Sequence, residues 1–185
     1  MKKNFENLLN LAKEGQVDAQ AQLLPLVYDE LKKSAQRLMR SENSNHTLQA
    51  TALLHEAYFK INGASLDLCQ NKAHFVGLTV RMMRQILCDH ARSKQAEKRG
   101  GGQTLLSLND ELAEKSTHQD QLDVLILHDC LEKLAQLDPR QAQLVELRYF
   151  GGLELEECAD VLQCSLATVK RDWVFARAWM AKELN

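Results

Sequence analysis

The residues best placed to do chemistry lie near the end of the chain. Thr168, Lys170 and Arg171 follow a break of only three residues, Gln163-Cys164-Ser165, between two stretches of helical composition. A hydroxyl and two cations within one helical turn suit a polyanion, through hydrogen bonds to base edges in a major groove and ionic contacts to phosphate. Arg177, further along the same stretch, suits phosphate alone. A second set, Arg81, Arg84, Arg92, Lys94, Lys98 and Arg99, runs along one long apolar-patterned segment and offers phosphate contacts over a distance. Catalytic arrangements are lacking. His55-Glu56 has no second His to complete H-E-x-x-H, and Gly100-Gly101-Gly102 ends a helical pattern instead of opening one after a strand. The six histidines are scattered without partners at metal-ligand spacing. The sequence therefore predicts no enzyme, no bound metal and no cofactor.

The elements that must carry these residues read as helices throughout. A helical stretch is predicted from Asp18, as cap, to Leu24, with a break or kink at Pro25. The next helix, PLVYDELKKSAQRLMR, turns Leu26, Leu31, Ala35, Leu38 and Met39 inward. Thr47 caps LQATALLHEAYFKI, whose Leu53, Leu54, Ala57, Tyr58 and Ile61 recur at helical spacing. Asn71 caps a long helix with an inner row of Phe75, Leu78, Met82 and Ile86 and the arginines and lysines outside. It stops at the three glycines, and residues 100–120 read as a linker.

Beyond that linker Leu122, Ile126, Cys130, Leu134 and Leu137 mark another amphipathic helix. Asp138-Pro139-Arg140-Gln141 is a helix start, with Asp as cap and Pro at the first position. That helix ends at Gly151-Gly152. Two more follow, about residues 154–162 and 166–182, and the short turn between them has the spacing of a helix-turn-helix capped by Ser165. Leu162 and Val169 pack the pair, Ala159 permits close approach, and Leu166 and Trp173 face inward. Gln163 stands where glycine is usual, which predicts strain in the turn. The same pattern also fits a plain helical hairpin.

Composition agrees with an all-α protein. Of 185 residues 45% are apolar and 26% charged, with only two prolines, so a core can form. The net charge of -2 divides unevenly. Residues 1–99 hold fifteen Lys+Arg against ten Asp+Glu, a surplus of five; residues 100–185 hold eight against fifteen, a deficit of seven. Such a division fits different partners for different faces, or simply solvated surface. Five cysteines without a C-x-x-C pair imply reduced thiols in a cytoplasm. No stretch reads as a secretory signal or a membrane span.

Three blocks in order, HTLQATALLHEAYFKI, HFVGLTVRMMRQILCDHARSKQAEKRGGG and DPRQAQLVELRYFGGLELEECADVLQCSLATVKRDWVFARAWM, resemble bacterial RNA polymerase sigma factors of the extracytoplasmic-function type, most closely the ECF-like subgroup. The resemblance runs from about Leu23 to Met180. It implies two small helical domains: residues 1–99 for binding core polymerase and the −10 promoter element, and residues 121–185 for reading the −35 element through a helix-turn-helix. It implies that Leu54, His55, Glu56 and Tyr58 meet the clamp helices of the polymerase β′ subunit. The long basic helix would melt and hold the −10 element, while Ser165, Thr168, Lys170, Arg171 and Arg177 would serve the −35 element. Core polymerase, including its β subunit, and promoter DNA are the implied partners, and an anti-sigma factor is a further partner open to such a protein. Asp172 stands where many relatives have a basic residue and lowers the positive field of the recognition helix. The Leu53–Ile61 helix can equally be read as pure core, and a stand-alone regulator binding an operator as a dimer is the alternative function.

Overall fold

The computed structural model describes residues 2–39, 47–61, 66–67, 69–100 and 125–184. All regular structure among them is helical, and no strand occurs. Helices α1 (Lys2–Lys13), α2 (Val17–Leu38), α3 (Thr47–Lys60) and α4 (Lys72–Gly100) form the first half. The second half contains α5 (125–137), α6 (Pro139–Val145), a π-helical turn (Glu146–Phe150), α7 (Leu155–Leu162) and α8 (Leu166–Glu183). The expected linker, residues 100–120, lies outside the described residues save Gly100, as does Leu122.

Two elements differ from expectation. α1 was not predicted, yet Phe5, Leu9 and Ala12 recur at steps of four and three and are buried; Phe5 meets Phe75 of α4 edge to face at 5.6 Å. α2 runs unbroken through Pro25. Its buried row of Ala19, Leu23, Val27, Leu31, Ala35 and Leu38 spans both sides of the proline. Burial of that continuous stripe outweighs the one backbone hydrogen bond that proline cannot donate. Asp18 lies in the first turn of α2 and Gln16 takes the cap position.

Elsewhere the pattern holds with adjusted faces. Leu53, Leu54, Ala57, Tyr58 and Ile61 are all buried. In α4 the innermost row is Phe75, Thr79, Val80, Met83 and Ile86, while Leu78 and Met82 are half-buried at its edge. In α5 Cys130, Leu131 and Leu134 turn inward, whereas Ile126 and Leu137 are exposed. Asn71 caps α4 by accepting from the His74 N–H at 3.0 Å. Asp138 caps α6 through the Arg140 and Gln141 amides.

The two halves share one continuous buried cluster. At the seam the C-terminal end of α6 is widened into the π turn, and Glu146, Leu147 and Phe150 are all buried there. The carbonyls left free at a helix end need donors, and α2 supplies them. Arg37 Nε donates to Phe150 O at 3.0 Å, Arg37 Nη2 to Gly151 O at 2.9 Å, and Ser34 Oγ to Gly151 O at 3.3 Å. Gly152 turns away with φ +71°, and the Arg37 guanidinium fills the space a side chain there would need.

Candidate nucleic-acid and polymerase interfaces

The C-terminal pair has the geometry of a helix-turn-helix. α7 opens with a capping box in which Glu157 accepts from the Glu154 N–H at 2.9 Å. It ends on Gln163, whose φ of +51° is left-handed, a conformation unusual for a side chain with a Cβ. The predicted turn strain therefore sits at the predicted residue. Ser165 Oγ accepts from the Thr168 N–H at 3.1 Å and also lies 2.9 Å from Thr168 Oγ1. Thr168 is thus half-buried and partly engaged in the cap, while Lys170 and Arg171 are exposed. Val169 is buried, as are Ala176 and Met180, so the inward row of α8 fixes which residues point out. Arg177 is exposed and lies over Trp173, its guanidinium carbon 5.9 Å from the ring centroid.

Asp172 belongs to the inward row, a correction to its sequence reading. It is only 4% exposed, and Arg140 Nε of α6 donates to its carboxylate at 2.8 Å. The hydrogen bond that Arg140 donates to Asp172 raises the Arg140 pKa above its ordinary value. A carboxylate neutralised at such close range adds little negative potential at the groove-facing surface. Its role in α8 is to tie the helix to α6.

On α4 the basic residues part company. Arg81 and Arg92 are exposed, whereas Arg84 is buried, contrary to its predicted outward face. Arg84 Nη2 lies 2.6 Å from Glu146 Oε1 and Nε donates to the same oxygen at 2.8 Å. Its other contacts are His128 Nδ1 and, at 3.5 Å, Glu132. Burying a cation is tolerable only with such pairing. The side chains of Lys94, Lys98 and Arg99 lie outside the described residues.

The candidate polymerase-binding residues also divide. Leu54 and Tyr58 are core, with Leu54 wholly enclosed and Tyr58 donating its hydroxyl to Gln20 O. Burial also raises the Tyr58 pKa. Neither side chain is at the surface, because the α3 stripe that suggested a partner is taken up by α2 and α4. His55 and Glu56 lie at the surface; Glu56 pairs with Lys60 at 3.1 Å and approaches His90 Nε2 at 3.6 Å. Phe59, absent from the sequence-derived set, is 81% exposed and completes a ring cluster with His55 and Tyr28. A large apolar residue interrupting the polar face of α3 was its legible signal.

Burial pushes the Cys158 thiol up to about 12 and the Cys69 thiol up to about 11, far from a reactive thiolate. Among the described residues no group of His, Cys, Asp or Glu could hold a metal ion, and no helix is long and apolar enough to cross a membrane. No curated protein matches the chain. What the capped, cation-bearing α8, the basic α4 and the order of the helices suggest together is met by a family model, described as ECF sigma factor, that matches residues 2–185. The chain belongs to the ECF sigma factor family.

Proposed function

We propose that this sigma factor binds core RNA polymerase and directs it to particular promoters, acting in the cytoplasm without catalytic activity of its own. Membership of the family carries the role in transcription initiation; the assignments below are our reading. Residues 1–99 engage core polymerase and the −10 element, and residues 121–185 read the −35 element. The observation that carries the reading is the start of α8. Ser165 caps it, Lys170 and Arg171 emerge exposed beside Thr168, and Asp172 is turned inward against Arg140. That is the arrangement a recognition helix needs in a major groove. Arg81, Arg92 and the run Lys94, Lys98 and Arg99 supply phosphate contacts, and His55, Glu56 and Phe59 offer a mixed polar and aromatic surface to the β′ clamp helices. The β subunit and an anti-sigma factor are the remaining partners consistent with this role.

The test is reconstitution with core polymerase, followed by transcription from a randomised promoter library. Co-migration with core polymerase and enrichment of a defined pair of upstream elements is the expected result. Binding of a duplex site as a dimer, with no association with polymerase, would instead establish an operator-binding regulator.

A further inference from the structure

Beyond Arg171 the outer face of α8 ceases to be polar. Val174 is 69% exposed. A single apolar side chain on a surface needs no explanation in itself, but the place of this one does. The buried row of Val169, Asp172, Ala176 and Met180 fixes the inward direction of the helix. At roughly 100° per residue, Ala167, Arg171, Val174 and Ala178 fall close to the opposite line, and all four are exposed. The two alanines are short, so Val174 is the apolar group that stands furthest out along it. Phe175, also exposed, lies further round the helix.

The charges around Val174 narrow what could meet it. Lys170, Arg171, Arg177 and Lys182 are exposed on α8. The one carboxylate before Glu183, Asp172, is buried against Arg140. A cationic rim with no free carboxylate complements a polyanion. From this we infer that Val174 is a base-reading residue, whose methyls pack on the 5-methyl group of a thymine in the −35 element, next to the base pair met by Arg171. The inference rests on the reading of α8 as the recognition helix.

The chemistry of the groove supports that choice of base. Among the four bases only thymine presents a methyl group in the major groove. Opposite adenine, cytosine or guanine, an apolar side chain would cover a donor or acceptor and return no hydrogen bond. Val174 follows Arg171 by three residues, about 4.5 Å along the axis. Stacked base pairs are about 3.4 Å apart, so the two side chains address neighbouring pairs.

The test uses the chain assembled with core polymerase and a duplex carrying the upstream element that the wild type selects from the randomised library. Each thymine of that element is replaced in turn by deoxyuridine, which removes the methyl and keeps the hydrogen-bonding groups. The wild type should lose about fourfold in affinity at one thymine, the worth of one buried methyl. That thymine should neighbour the pair whose identity Arg171→Ala relaxes. Val174→Ala should bind the thymine duplex as weakly as the wild type binds the deoxyuridine duplex, and should no longer tell the two apart. Alanine is the better helix former at this exposed position, so helical content should hold. Phe175→Ala should keep the discrimination.

A wild type indifferent to every methyl, an element without thymine, or discrimination that survives Val174→Ala would overturn the inference. Loss of polymerase association in Val174→Ala, at unchanged helical content, would overturn it too, by assigning this face to a protein partner. If the wild type selects no upstream element at all, the reading of α8 as a recognition helix fails first, and the role of Val174 falls with it.

Discussion

Neutralising Asp172 separates two accounts of the recognition helix. If the carboxylate only weakened the field in the groove, Asp172→Asn would strengthen DNA binding and leave stability alone. The structure has it buried in α8 and bonded to Arg140 Nε at 2.8 Å, so its loss should loosen α8 from α6. A hydrogen bond to a charged group contributes about 1.5–3 kcal/mol when well shielded. Arg140 is 43% exposed on its side chain, so solvent screens the pair and rehydrates the guanidinium once freed. Discounting accordingly, the loss should be about 1–2 kcal/mol. For a chain of this size that lowers the melting temperature by about 2–8 °C. Arg140→Ala should cost at least as much, because it leaves the buried carboxylate with only Arg171, whose Nε lies 3.8 Å away. Calorimetry or circular dichroism on both single variants and the double gives the coupling. The double should be no less stable than Arg140→Ala. Strictly additive losses, or an Asp172→Asn variant as stable as the wild type, would refute the tie.

Three further outcomes are expected. Charge reversal at Glu56, or Phe59→Asp, should weaken association with core polymerase while helical content stays constant; unaltered co-purification of both would remove α3 from that interface. Replacing Arg92, Lys94, Lys98 and Arg99 should flatten the salt dependence of promoter binding, by roughly 0.7–0.9 in the slope of log K against log salt for every phosphate no longer neutralised. Thr168→Ala or Arg171→Ala should change the preferred upstream element in a randomised library, each base-edge hydrogen bond being worth on the order of 1–3 kcal/mol, whereas Arg177→Ala should weaken all sequences alike.

Residues that act on their neighbours in sequence were legible without a fold. Ser165, Asn71 and Asp138 are caps because a short side chain reaches an amide two or three positions ahead. The strain at Gln163 followed from a three-residue turn with no glycine. The helices followed from period, with α1 the exception despite its Phe5, Leu9 and Ala12 spacing; their inner rows followed less closely, since Ile126 and Leu137 of α5 are exposed and Leu78 and Met82 of α4 only half-buried. Pro25 misled because a local rule was outweighed by a stripe buried along the whole of α2. Availability of a charge is another matter. Arg84 and Asp172 look like solvent-facing residues until Glu146 and Arg140, 62 and 32 positions away, close on them. Leu54 and Tyr58 look like a partner-binding stripe until α2 and α4 cover them. Whether an ion is hydrated, paired or free to meet DNA depends on which distant groups share its dielectric surroundings, and only the packed chain brings those groups together.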